Sequence, residues 1–141
     1  MTGTNLSRLP DDIKEILEQL RAILNSLPDL NSNDNKIDIP TLQNTEAKLN
    51  DLLPMLQLAE LQAEEERDWA LLNKIRPAID NCENALDAVR AAIIRGVVVG
   101  LHQQDMQAMQ DIRSRINRAA QAQQIFDGLV GLAEILIRVL A

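Results

Sequence analysis

Residues 11–27 read DDIKEILEQLRAILNSL, and the spacing within this stretch decides the fold class. Its apolar residues recur at steps of four, three, four and three, at Ile13, Leu17, Leu20, Leu24 and Leu27. Such steps return to one face of an α-helix, so the stretch predicts an amphipathic helix. Pro10, followed by two carboxylates, suits a first turn, and Pro28 stops the helix. We therefore expect the first helix at residues 11–26.

Two longer segments repeat this periodicity. The second predicted helix begins at Thr41 and keeps its stripe in phase across Pro54, so we expect a kink there and a helix that continues to Ile75. Pro77 is expected to end that helix and to open the third, because proline disfavours helix at the preceding residue but suits a first turn. The third segment becomes apolar on nearly all sides over residues 93–101, which predicts burial on most sides.

Gly96 and Gly100 lie in this apolar stretch, where glycines at such spacing indicate either a helix break or a close helix crossing. The apolar stripe also changes register between Gly100 and Asp105. Two arrangements are open over residues 78–124. In one, Gly100 follows the last turn of a helix and Asp105 caps a new helix; in the other, a single long helix contains a register slip. We favour the turn.

Residues 126–140 are apolar on nearly every face, which is typical of a buried terminal helix. Glu134 and Arg138 lie one turn apart and are expected to mark its solvent-facing edge. Residues 1–8 are expected to be loose, and residues 29–40 have the composition of a polar loop.

Together these segments predict an all-α fold. We expect a single helical domain over residues 1–141, a bundle of four to five mainly antiparallel helices in which helices two and three are long. The composition agrees with helices, because aliphatic residues and glutamine dominate and there is one Trp, one Phe and no Tyr. No segment has a convincing strand pattern.

The charge of the chain limits the partners that we expect. The net charge of −7 argues against general nucleic-acid binding, because affinity for phosphate comes mainly from clustered Lys and Arg. Acids exceed bases over residues 1–87, whereas arginines exceed acids over residues 88–141. This asymmetry indicates either solvated helix faces or charge-complementary packing, within one chain or between two. Arg113, Arg115 and Arg118 carry the weaker case for nucleic acid, and they lack aromatic stacking partners.

No residue pattern is specific for catalysis or for a cofactor. The only histidine, His102, has no second ligand at helical spacing before it, and the only cysteine, Cys82, falls on an apolar stripe. Glu60, Glu64 and Asp68 share one helical face, but such a face is usually just solvated. We therefore expect no enzyme activity, no catalytic or metal-binding residues and no cofactor.

The sequence also bears on location. A single cysteine excludes an intramolecular disulfide and favours a reducing compartment. The N-terminus has no basic region followed by an apolar run and a cleavage site, so a cytoplasmic location is expected. The most apolar window, residues 125–141, is too short and too charged for a transmembrane helix.

The function that these features favour is a non-catalytic interaction or assembly module. It would associate with itself as a homo-oligomer or bind a partner helix through its apolar stripes. The candidate interaction surface comprises residues from the two most apolar stretches, namely Ile94, Val98, Leu101, Leu129, Leu132 and Leu136. The alternative is a membrane-active helical protein of pore-forming or effector type, which hides an apolar hairpin or tail inside a bundle. A membrane is the less favoured partner, and nucleic acid is not expected.

Overall fold

The computed structural model of the chain describes residues 9–30, 35–96 and 98–141. The expected loose N-terminus at residues 1–8 lies outside them, as do residues 31–34 of the expected loop. Within the described ranges the all-α fold is confirmed, because five helices pack together around an apolar core. The helices are α1 (Asp11–Ser26), α2 (Ile39–Glu65), α3 (Trp69–Arg95), α4 (Gln103–Asn117) and α5 (Ala122–Leu140). Helices α2 and α3 are the long ones, with 27 residues each.

The heptad stripe predicts α1 with its observed bounds. All five members of that stripe are buried. Helix α2 continues through Pro54 as expected, and Pro54 lies on the exposed side of the helix. The carboxylate of Asp38 caps α2 by accepting a hydrogen bond from the backbone N–H of Thr41 at 2.9 Å. Hydrogen bonding to Thr41 lowers the pKa of Asp38.

The break between α2 and α3 lies at residues 66–68, so the expected helix end at Pro77 is wrong. Arg67 adopts a left-handed backbone conformation with φ 57°, and the N–H of Asp68 donates to a carbonyl of the last turn of α2 at 2.9 Å. The side chain of Asp68 then caps α3, because it accepts a hydrogen bond from the backbone N–H of Leu71. Pro77 is an exposed residue within α3. These local bonds end α2 inside the acidic run, where the apolar pattern gives no sign of a break.

The break after α3 confirms the arrangement with two helices but lies earlier than expected. Gly96 ends α3 with φ 67°, and its N–H donates to carbonyls of the preceding turn. Helix α4 begins at Gln103, so Asp105 is its third residue and not its cap. The carboxylate of Asp105 accepts a hydrogen bond from the N–H of His102 at 3.3 Å. Of the two alternatives for Gly96 and Gly100, the helix break is confirmed and the close crossing is wrong. Beyond each glycine and its chain neighbours, no described atom lies within 4 Å of a Cβ built there.

A short two-stranded ribbon joins the connections that precede α2 and α4, although the sequence predicts no strand. Strand β1 (Lys36–Ile37) pairs antiparallel with β2 (Val99–Gly100). Leu101 extends the pairing by donating its N–H to the carbonyl of Asn35 at 2.8 Å. The side chain of Ile37 is fully buried, so it anchors this connection to the core. Strands of two residues are too short to leave a period in the sequence.

Contacts between the helices define how the bundle is arranged. Helix α2 lies beside α1 and α3, α3 also lies beside α5, and α4 packs on α5. The pairs α1–α2, α2–α3 and α4–α5 are antiparallel, because in each pair contacts late in one helix meet residues early in the other. Helices α3 and α5 run in the same direction, because Lys74 meets Asp127 near their starts at 3.1 Å. Near their ends, Arg95 donates to the carbonyl of Leu140 at 2.6 Å. The bundle is therefore mainly antiparallel.

The close helix crossing in this fold lies between α4 and α5. A Cβ built on Gly128 would overlap Cδ1 of Ile116, which is fully buried. A Cβ built on Gly131 would lie 3.1 Å from Cδ1 of Ile112, which is a tight but milder contact. Gly128 thus allows α4 to approach α5 as closely as it does.

Arg113 of α4 binds the C-terminal end of α1. Its Nη2 donates to the carbonyls of Leu24, Leu27 and Pro28 at 2.7, 2.9 and 3.3 Å. The last carbonyls of a helix lack intrahelical partners and carry the negative end of the helix dipole, so a cation is stabilising there. Burial lowers the pKa of Arg113, and the nearby charge of Asp29 opposes that shift.

Replacement of Gly128 by Ala should destabilise the protein by about 1–2 kcal/mol. Overpacking a core commonly costs about 1–3 kcal/mol, and the better helix propensity of alanine offsets up to about 1 kcal/mol of that. Chemical denaturation measures the change. Gly131→Ala is the matched control and should be nearly neutral. Ile116→Val, which removes Cδ1, should restore stability in the Gly128→Ala background; equal stability of Gly128→Ala and the parent would contradict the crossing.

Replacement of Arg113 by Met should lower the free energy of unfolding by about 2 kcal/mol, because it keeps the aliphatic stem but leaves carbonyls of α1 without a charged donor. Nη1 of Arg113 is buried without a partner among the described residues, which costs free energy in the folded protein. Because the substitution removes this unpaired donor, the net loss in the free energy of unfolding stays modest. Arg115→Met, at an exposed position of the same helix, should change stability by less than about 0.5 kcal/mol. Equal effects of the two substitutions in urea denaturation would argue against the role assigned to Arg113.

Candidate functional site

The six residues of the predicted interaction surface divide into two groups. Ile94 and Val98 are 85% and 55% exposed. The other four are buried in the core and form no part of the surface in this structure, namely Leu101, Leu129, Leu132 and Leu136. Leu129, Leu132 and Leu136 are covered because α5 packs against both α3 and α4, so its apolar faces are used within the chain. Leu101 lies outside α5, directly after the ribbon, where its side chain is 2% exposed.

Ile94 is exposed because of its position on α3. It follows the partly buried Ile93 by one residue, which turns its side chain about 100° away from the core-facing stripe. The chain then leaves the helix at Gly96, and Val98 lies directly before the ribbon, where it is more than half exposed. The expectation that residues 93–101 are buried on most sides is therefore wrong. We call Ile94 and Val98 the α3–α4 surface.

A second group of exposed apolar side chains lies where α2 turns into α3. Leu58, Leu61 and Trp69 are 48%, 54% and 59% exposed. Leu58 and Leu61 are three residues apart and are therefore neighbours on α2, within about 10 Å of its last residue. Trp69 is the first residue of α3, directly after the three-residue turn. We call these three residues the hairpin-end surface.

Ion pairs show how Trp69 is oriented on α3. Arg76 lies two turns after Trp69 and so on nearly the same side of the helix. Nε of Arg76 lies 3.3 Å from the carboxylate of Glu60, and its Nη2 lies 3.3 Å from that of Glu64. That side of α3 is therefore the one turned towards α2. Leu61 lies three residues before Glu64 and is therefore its neighbour on the surface of α2. Trp69 and Leu61 thus border the same line of contact between α2 and α3.

The hairpin end is strongly acidic. Its charged residues from position 60 to 68 are Glu60, Glu64, Glu65, Glu66 and Asp68, against Arg67. Glu60 and Glu64 share Arg76, and Asp68 caps α3. Glu65 and Glu66 are exposed and have no ion pair or hydrogen bond with any side chain in the described ranges. Glu65 lies one turn after Leu61 on the same side of α2, so only partly compensated negative charge adjoins these apolar side chains.

Sequence reasoning missed the hairpin-end surface for an identifiable reason. It treated residues 64–68 as the middle of a continuous helix, which hid the turn and the cap that exposes Trp69. Leu58 and Leu61 carried a signal, because neither falls on the stripe of Leu49, Leu52 and Leu56. Large apolar residues off the buried stripe are the sequence feature that points to this surface.

The other chemical candidates are placed as follows. His102 is exposed at the start of α4, and Cys82 is fully buried with Sγ 3.7 Å from the carbonyl of Leu49. Over the described part of the chain, His, Cys, Asp and Glu side chains form no group of three that could hold a metal ion. Arg115 and Arg118 line a cleft that also contains Gln124 and the carboxylate of Asp127, while Arg113 is bound to α1.

Charge-complementary packing occurs within the chain. Arg90 of α3 pairs with Glu46 of α2 at 2.9 Å, beside the pairs that Arg76 makes with α2. Glu134 and Arg138 are both exposed, as expected of the solvent-facing edge of α5, and Arg138 pairs with the largely buried Asp105 of α4 at 2.7 Å. Of the arginines in residues 88–141, Arg90 and Arg138 thus pair with acids of neighbouring helices, whereas Arg95 and Arg113 bind backbone carbonyls.

Comparisons of this chain with protein-family models, with curated proteins and with solved structures give no match. No helix in the described ranges is both long enough and apolar enough to cross a membrane.

The stability of the protein should depend on Cys82 at alkaline pH. Burial, with a smaller contribution from Glu83, raises the pKa of the Cys82 thiol from 9.0 to about 12. The folded state therefore keeps its proton when the unfolded state has lost it. This contribution is complete below pH 9 and is lost as pH rises towards 12, at up to about 1.4 kcal/mol per pH unit. Denaturation midpoints of the parent and Cys82→Ala between pH 8 and pH 11 test this, and parallel profiles would contradict it.

Proposed function

We propose that this protein is a non-catalytic interaction module whose protein partners dock on exposed apolar residues of the α2–α3 hairpin and its continuation. One observation carries the proposal. The chain buries its predicted stripes within itself, yet most of its exposed large apolar side chains in the described ranges lie at the two ends of this hairpin, at the hairpin-end and α3–α4 surfaces.

The residue types at the hairpin end support binding by a protein. Tryptophan is enriched among the residues that dominate binding energy at protein interfaces. Completing the burial of a half-exposed Leu or Trp contributes about 1 kcal/mol, so three such side chains supply about 3 kcal/mol before any polar contact. Trp69, Leu58 and Leu61 also project from rigid helices, which limits the entropy lost on binding.

Self-association is one form of this proposal, and the α3–α4 surface is where we place it. Ile94 and Val98 are uncharged, and their neighbour Arg95 is engaged with the end of α5. Two copies can therefore bring Ile94 and Val98 together while the guanidinium of Arg95, which keeps its charge, stays bound to the end of α5. A cytoplasmic location is also part of the proposal, because a lone buried thiol at Cys82 suits a reducing compartment.

Photo-crosslinking in cells that produce the protein natively tests the proposal. A benzoylphenylalanine residue replaces Leu61 in one variant and Ile94 in another, and the control carries it at exposed Asn84 on the middle of α3. We expect discrete protein adducts from positions 61 or 94 above the level at position 84, because only those sites contact a partner. Mass spectrometry identifies each adduct as a second copy or another protein. Equal, diffuse labelling at all three positions would refute the proposal.

A further inference from the structure

We infer that the hairpin-end surface binds a basic amphipathic helix of another protein, whose apolar face covers Leu58, Leu61 and Trp69 and whose Lys or Arg residues meet the surrounding carboxylates. This inference rests on the proposed function and names the class of partner. It depends on the exposed apolar side chains and acidic side chains being interleaved on one surface.

The apolar part has the size of one helix face. Leu58 and Leu61 lie within two turns of the end of α2, and Trp69 borders the same line of contact from α3. A partner helix presents apolar side chains at i, i+3, i+4 and i+7, and it can set two or three of them against such a surface. An extended strand would need a free backbone edge, whereas this surface is built from helical residues.

The negative charge of the hairpin-end surface favours a positively charged partner. Glu65 and Glu66 lie between Leu61 and Trp69 in the chain, and no side chain in the described ranges pairs with them. A partner with cations beside its apolar face would supply the missing counter-charges. Such complementarity raises the association rate and excludes partners of the same sign.

The same charge disfavours the other occupants. A second copy placed face to face would set Glu65 and Glu66 against their own counterparts, and an anionic lipid surface would be repelled as well. The exposed arginines of α4, Arg115 and Arg118, do not make a substitute face in a second copy. They lie beside Asp127, and none of the large exposed apolar residues of the described chain lies on α4 or α5.

Peptide titration monitored through Trp69 tests the inference, because this residue is the only tryptophan. The probe is a synthetic helical peptide without tryptophan, with Leu at i, i+3, i+4 and i+7 and Lys elsewhere. Its matched control replaces every Lys by Glu. We expect the Lys peptide to shift Trp69 emission to shorter wavelength and to protect it from acrylamide, with affinity that falls as salt increases. The Glu peptide should bind at least about tenfold more weakly.

Two double variants separate local from overall charge. Glu65→Lys with Glu66→Lys should weaken binding of the Lys peptide at least about tenfold. The fold of α2 should tolerate this change, because lysine is favourable at a helix C-terminus. Glu83→Lys with Asp87→Lys makes the same change in net charge at exposed positions of α3. This second variant should weaken binding of the Lys peptide less than about threefold. Leu61→Ser should also abolish most binding, whereas Ile94→Ser should not. Circular dichroism confirms that each variant is folded.

Several outcomes would overturn the inference. These are equal binding of the Lys and Glu peptides, equal effects of the two double variants, a dimer that Leu61→Ser disrupts, or binding of Trp69 to phosphatidylserine vesicles. Crosslinks from position 61 to another protein, together with any of these results, would overturn the basic helix while leaving the proposed function intact. Absence of crosslinks and of peptide binding would remove both.

Discussion

The enclosure of α5 is the constraint on which the rest of the structure depends. This helix is apolar on nearly every side, and nine of its residues are buried. A single neighbouring helix covers only one stripe, so α5 needs α3 on one side and α4 on another, with Gly128 allowing α4 to come close. Helix α3 must then pack against both α5 and α2. The long α2–α3 hairpin is consequently covered on its inner face only, and its outer face stays in solvent.

Polar contacts fix the arrangement that apolar burial alone leaves undetermined. Arg113 ties α4 to the end of α1, Arg138 ties α5 to the start of α4, and Lys74 ties α3 to α5. Apolar faces of Leu, Ile and Ala can slide past one another at small cost. Hydrogen bonds and ion pairs at defined atoms cannot, so these three cations set the register of neighbouring helices. None of them is exceptional in the sequence, where each is simply a charged residue on a helix.

The sequence predicts what burial decides and misses what local bonds decide. The stripe of α1, the burial of Cys82 and the all-α class follow from periodicity, because an apolar stripe must be covered. The break at residues 66–68 depends on the backbone of Arg67 and the side chain of Asp68, and neither changes the apolar period. The predicted helix end at Pro77 is wrong because an exposed proline is tolerated in a helix that tertiary packing stabilises. Only Ile94 and Val98 of the six candidate surface residues are exposed, because a stretch that is apolar on all sides can be either core or surface.

The position of Trp69 limits what optical spectroscopy can show about the core of this protein. Its single indole lies at the surface, and its single phenylalanine, Phe126, is the only aromatic residue in an otherwise aliphatic core. Indole fluorescence and the near-ultraviolet dichroism of aromatic groups are the usual optical signs of tertiary order. In this molecule both arise mainly from the hairpin end. Loosening of the core around α5 would leave them almost unchanged, so an optically native protein could have a mobile interior.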